Sequence, residues 1–233
     1  YYSAFLLYNQ EVKAIFMKKN LWISILDFFA PKRCYFCQKL GDAVCGECLN
    51  KQNFSVKILT RQAKHRATRD FYLSDREGVL RKLVDDMKFS NHQENYQVLA
   101  QILAQALVKN QMIQRNRPKI ILIPAPTSEK HLRQRGFGHT EAISQELARI
   151  LELRTQSIIT RKTNFVQHGA SAKVRKSQAA QSYELSGELD PEAIYCVFDD
   201  IRTTGSTLDA ISGILLENGA QEVWNIYLMQ QQI

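Results

Sequence analysis

With 233 residues, the chain has room for one main domain and a small appendage. Hydrophobic residues make up 45% of it, yet the most apolar run, LWISILDFFA at 21–30, is broken by Asp27 and falls short of the ~18 uncharged residues a bilayer requires, so no membrane span is expected. The net charge of +8 favours phosphate-bearing ligands and nucleic acid rather than polycations.

The opening 16 residues lack a basic leader before an apolar stretch and a small-residue cleavage site, so no secretory signal is expected. Met17, opening MKKN, is the expected natural start, and residues 1–30 read as an extension and lead-in helix. Residues 31–50 are short of core formers and dense in cysteine, as in a small knuckle. Residues 51–75 read as a basic connector. From 51 to 69 there are six lysines or arginines and no acid, and 154–176 repeats that balance. Each block reads equally as a solvated face or as a track for phosphates.

Helical spacing then dominates. Val79, Leu80, Leu83, Val84 and Met87 predict a helix over 76–88, and Leu99, Ile102, Leu103, Ala106 and Leu107 predict another over 96–109. KIILI at 119–123, stopped by Pro124 and Pro126, predicts a buried strand. A helix follows over 140–151, a strand over 194–198, a helix over 207–216 closed by Asn218 and Gly219, and a last strand over 223–229. Alternating strands and helices predict an α/β domain over 76–233, a parallel sheet flanked by helices.

Open parallel sheets bind ligands beyond the carboxyl ends of their strands. The strand at 194–198 delivers Asp199 and Asp200 to that edge, followed by Thr203, Thr204, Gly205, Ser206 and Thr207 at a helix start. Successive N–H groups and hydroxyls around a glycine make a phosphate cradle. The two carboxylates suit paired hydroxyls or a nearby Mg²⁺. An acid-complemented helix cap is the plain alternative. The segment resembles the phosphoribosyl pyrophosphate (PRPP) signature of type I phosphoribosyltransferases. That resemblance implies that Asp199 and Asp200 contact ribose and act catalytically, and that residues 203–207 bind the 5-phosphate.

Upstream, IPAPTSEKHLRQRGFGHTEAISQELA carries Arg133 and Arg135, whose forked donors suit a diphosphate. With RKTNFVQHGASAKVRKSQAAQSYEL at 161–185, the chain from about residue 21 resembles the ComF/ComFC competence proteins, which share a cysteine knuckle, a Pro-x-Pro strand end, an RGF motif, a Gln-and-Arg linker and the DD-x-x-TTG-x-T loop in this order. The resemblance implies a type I phosphoribosyltransferase-like fold, PRPP with Mg²⁺, linker contacts from Gln167 and Arg175, and a role in natural transformation. It further implies a cytoplasmic location, with the inner face of the membrane left open. Gly138 and His139 depart from the pattern after RGF, Gln178 replaces an asparagine, and Arg202 stands where an apolar residue is common.

Cys34 and Cys37, then Cys45 and Cys48, form two CxxC pairs that can close a structural Zn²⁺ site and so supply folding energy. A redox dithiol and an iron–sulfur cluster remain open readings. Cys196, in an apolar strand, reads as core.

Three functions follow. One is a competence protein that binds PRPP and single-stranded DNA, with Phe54 or Phe165 to stack bases. Another is an active phosphoribosyltransferase acting on a nitrogen nucleophile that the sequence leaves unidentified. The third is a scaffold whose knuckle docks a helicase-like or recombination partner.

Overall fold

The computed structural model describes residues 32–63, 66–90, 92–162 and 182–231. Met17, the lead-in over 1–30, Phe165, Gln167 and Arg175 lie outside them. The chain divides after Lys51 into two compact units.

In the first unit, Arg33 and Leu40 form an isolated antiparallel bridge around the turn that carries Cys34 and Cys37. The turn closes through Gln38 N–H to Cys34 O and Cys34 N–H to Lys39 O, both 2.8 Å. A short helix, α1 (Gly46–Lys51), follows Cys45 and carries Cys48.

The second unit is built on a six-stranded sheet of order β1-β2-β8-β7-β3-β4. Its strands are β1 (Lys57–Ala63), β2 (Arg66–Asp75), β3 (Ile120–Pro124), β4 (Arg154–Thr155), β7 (Ile194–Arg202) and β8 (Glu222–Gln230). All neighbours run parallel except the β1–β2 hairpin. The stretch read as a connector is therefore largely sheet. Its charges hide the strand pattern, but Phe71, Tyr72 and Leu73 are buried in β2, which hydrogen-bonds to β1 on one side and β8 on the other. Between β4 and β7 lies a separate hairpin of β5 (Ile159–Arg161) and β6 (Tyr183–Leu185).

The helices are α2 (Gly78–Phe89), α3 (Asn95–Leu107), α4 (Gln111–Asn116), α5 (Glu129–Arg135), α6 (His139–Leu151) and α7 (Ser206–Glu217). Every longer one overlaps a predicted helix. Successive strand residues point to opposite sheet faces. One face places Ile121, Ile123, Tyr195, Val197 and Tyr227 in a core with Leu208, Ile211 and Leu215 of α7. The opposite face, with Cys196 and Phe198, lies toward α2, α3 and α6, whose buried stripes include Leu83, Met87, Leu103 and Leu147. Each such aliphatic contributes about 1.5–3 kcal/mol over leaving it in water, so the helices are held by tertiary packing.

The parallel arrangement places the strand ends Asp75, Gln230, Arg202 and Pro124 on one edge. Among the described residues, no helix is long and apolar enough to cross a membrane.

Candidate functional site

β7 continues past the apolar run because β8 stays paired with it: Asp199 faces Tyr227 and Arg202 faces Gln230 in the register. The two acids therefore lie within a strand and point to opposite faces. Asp199 takes the α7 side and borders a small hollow with Arg202, Thr203, Gly205, Ser206 and Thr207. Gly205, at φ +78°, turns the chain into α7. The Thr204 hydroxyl donates to Ser206 Oγ at 3.1 Å. The first N–H groups of a helix have no upstream carbonyl partner, so this turn offers donors and the positive end of a dipole.

Beneath the loop lies a polar network that no sequence pattern announces. The Arg202 guanidinium lies against Gly205 so closely that a Cβ there would come within 2.9 Å of Nε. That nitrogen is 3.7 Å from the fully buried Asp70 carboxylate. Asp70 also accepts from Asn225 Nδ2 at 2.8 Å and from the Tyr227 hydroxyl at 3.3 Å. Ser212 of α7 donates to Asn225 Oδ1 at 2.9 Å. The departure at Arg202 thus carries a cation that ties the loop to β2 and β8.

Asp200 is turned away from the hollow. Its buried Oδ2 is ion-paired with Lys88 of α2 and lies 2.9 Å from His139 Nε2 at the start of α6. Burial alone would raise its pKa, but the Lys88 charge and the His139 contact hold it well below the usual carboxylate range. Asp199 behaves oppositely: burial, then the neighbouring Asp200 charge, push it up to about 7. Lys88 and His139 were not picked out from the sequence as site residues, His139 having been noted only as a departure after RGF.

The arginines also separate. Ser128 caps α5 by accepting from His131 N–H at 3.3 Å, and Gly136 at φ +76° closes it. Arg133 is exposed and paired with Glu129 at 3.0 Å. Arg135 instead reaches toward His139, with Nη1 3.4 Å from Nδ1, and its carbonyl accepts from Gln93 Nε2 at 2.9 Å. The Pro124-Ala125-Pro126 turn is pinned by Ala125 N–H to Phe198 O and by the Thr140 hydroxyl to Ala125 O, both 2.8 Å.

In the first unit, the sulfurs of Cys34, Cys37, Cys45 and Cys48 all lie within 4.8 Å of one another. Cys37 and Cys45 are 3.7 Å apart, against about 3.8 Å between thiolates at the corners of a tetrahedral zinc site. The donor set fits a metal ion. Burial works to raise the Cys34 thiol, but N–H groups of Cys45, Cys37 and Phe36 outweigh it and bring the thiol down to about 6. The Cys48 thiol is pushed up to about 12, by burial and then by the neighbouring thiols.

No protein-family model matches the chain. It is 31% identical over 190 residues to the DNA utilization protein YhgH of Salmonella typhimurium, spanning 77% of this chain and 75% of that protein. It is 29% identical over 203 residues to competence protein F of Haemophilus influenzae, spanning 83% and 89% respectively. Similar solved structures include an adenine phosphoribosyl transferase from Trypanosoma brucei, with TM-score 0.41, 10% identity and coverage of 76% of this chain and 87% of that one. Another is an orotate phosphoribosyltransferase from Aeropyrum pernix, with TM-score 0.37, 17% identity and coverage of 79% and 80%. At such scores the overlap is loose. The sequence likeness is of another order: sustained over three quarters of the Salmonella protein, it establishes that the chain belongs to the ComF/ComFC-like family of DNA utilization and competence proteins.

Proposed function

We propose that the second unit binds PRPP with Mg²⁺, that the first holds a structural Zn²⁺, and that the protein handles imported single-stranded DNA. The observation that carries the ligand reading is the left-handed turn at Gly205, which opens the start of the twelve-residue helix α7 onto a hollow bordered by Asp199. The N–H groups of that turn and the hydroxyls of Thr203, Thr204, Ser206 and Thr207 would take the 5-phosphate. Asp199 would accept from a ribose hydroxyl or from water on Mg²⁺, an ion that commonly uses one or two carboxylates together with substrate phosphates. Arg135 would meet the diphosphate with forked donors.

Asp200 receives a different role here from the one the family resemblance implies. Held by Lys88 and His139, it is a positioning residue that fixes the end of β7 and the start of α6. Arg133, Gln167 and Arg175 keep their ligand roles through the resemblance alone. The DNA role is supported by the names of the relatives, DNA utilization protein and competence protein F, and by a net charge of +8 that favours polyanions.

Calorimetry with PRPP, with and without Mg²⁺, tests the ligand reading on wild type and Asp199→Asn. Saturable, Mg²⁺-dependent binding is expected, weakened about tenfold or more in the variant, as for loss of a charged hydrogen-bond partner. A wild-type protein that binds no PRPP would refute it.

A further inference from the structure

One large exposed ring is left unused by the proposed PRPP contacts. Phe89, the last residue of α2, is 71% exposed. It directly follows Lys88, whose ammonium is bound to Asp200. The Arg135 guanidinium lies over the ring, 5.3 Å from its centroid. Arg135 is itself steadied by Gln93, which donates to its carbonyl, and by His139, which is bound to Asp200.

A single exposed phenylalanine is ordinary on a protein surface. This one is backed by a guanidinium that reaches the buried acid through one histidine, so the cation behind the ring is held in place.

Further basic side chains lie on the helix that supplies this guanidinium. Lys130 and Arg133 sit on α5 with Arg135. Both are exposed, and Arg133 is held by Glu129 in a surface ion pair that an incoming phosphate can replace. Phe54, by contrast, is only half-exposed.

An exposed aromatic face backed by a cation, with two more basic side chains on the helix that supplies it, matches the chemistry of single-stranded nucleic acid, whose bases stack on rings while its phosphates follow positive side chains. A duplex keeps its base faces inside its own stack and gives the ring nothing to hold. We propose that Phe89, backed by Arg135, is a stacking platform for one base of a single strand, with Lys130 and Arg133 along its phosphates. The platform rests on the DNA-handling reading above and specifies where on the protein the strand lies.

Fluorescence anisotropy with a labelled oligothymidylate, and with a duplex of equal length, tests it on wild type, Phe89→Ala, Phe89→Trp and Arg133→Ala. Loss of a stacked base should weaken Phe89→Ala by about tenfold or more, with Phe89→Trp restoring affinity. The slope of log affinity against log salt should fall by about 0.7 in Arg133→Ala. Because the ring is exposed, an unchanged melting temperature and retained PRPP binding in calorimetry certify that Phe89→Ala is folded. If wild type binds no single strand, the DNA reading falls and the platform with it. If wild type binds and Phe89→Ala binds equally well, or if duplex binds wild type as tightly as single strand, the platform alone is overturned. An unchanged salt slope in Arg133→Ala removes that residue from the phosphate track and overturns the stated path of the strand.

Discussion

Asp199 and Asp200 share a charge type and adjoining positions, yet the strand sends one toward α7 and the other toward Lys88 and His139. Their pH dependences should therefore oppose each other. Asp199 titrates at about 7 in the fold, against about 3.9 in the unfolded chain. Between those values the native state holds a proton that the unfolded state has released, so this residue lowers stability as pH rises from about 4 to 7. Asp200 is held ionised, so its contribution is complete above about pH 4 and is lost below, as the carboxylate is forced to protonate. Asp199→Asn should flatten the decline and, after allowance for solvent screening, gain about 1–2 kcal/mol at about pH 8. Asp200→Asn strands the nearly buried Lys88 ammonium and should lose about 3 kcal/mol at neutral pH. Urea unfolding of both variants from acid to mildly alkaline pH checks the ordering, and the reverse ordering would refute the assignment of faces. The acids themselves were legible as a pair following a strand. Their opposite orientations were not, because the partners that separate them lie on α2 and α6, distant in the chain.

Elements with a strong apolar period were legible in the sequence, with ends displaced by a residue or two. Helix α6 is predicted over 140–151 and found as His139–Leu151, and β8 over 223–229 and found as Glu222–Gln230. β7 runs four residues further than its apolar stretch because pairing with β8, not hydrophobicity, sets its end. The β1–β2 hairpin was missed for a related reason: Asp70 and Arg69 look like surface residues, although Asp70 is buried in contacts with Asn225 and Tyr227. The turn joining β7 to α7 makes the clearest demand on a single residue. At φ +78°, alanine at 205 costs about 1–2 kcal/mol in backbone strain. Its Cβ would also drive the Arg202 guanidinium, only 2.9–3.2 Å away, off the loop and away from Asp70. Gly205→Ala should lower the melting temperature and abolish detectable PRPP binding. Gly213→Ala is the matched control, since it lies inside α7 with open space around it and should stabilise the helix by roughly 0.5–1 kcal/mol. Melts and calorimetry on the two variants separate a demand of the loop from a general effect on α7; equal behaviour would refute it.

At the scale of the molecule, the two units solve the stability problem by different means. The sheet unit buries aliphatic and aromatic side chains on both faces of its central strands β3, β7 and β8. Within 32–51 the buried apolar side chains are only Cys34, Ala43 and Val44. Ordering a backbone costs about 1–2 kcal/mol per residue, far beyond what three small side chains return at about 25 cal/mol per Å². Four sulfurs within 4.8 Å of one another supply the missing term if they close on a metal, because binding free energy at such a site is folding free energy. The protein should therefore be purified with about one zinc per chain, and a strong chelator or Cys34→Ser should release it. Hydrogen exchange followed by mass spectrometry should then show residues 32–51 losing protection while the sheet strands keep theirs, since the sheet unit carries its own core. Iron at the site would favour a cluster. Metal-free protein with residues 32–51 still protected would instead leave a pair of CxxC thiols whose fold needs no ion.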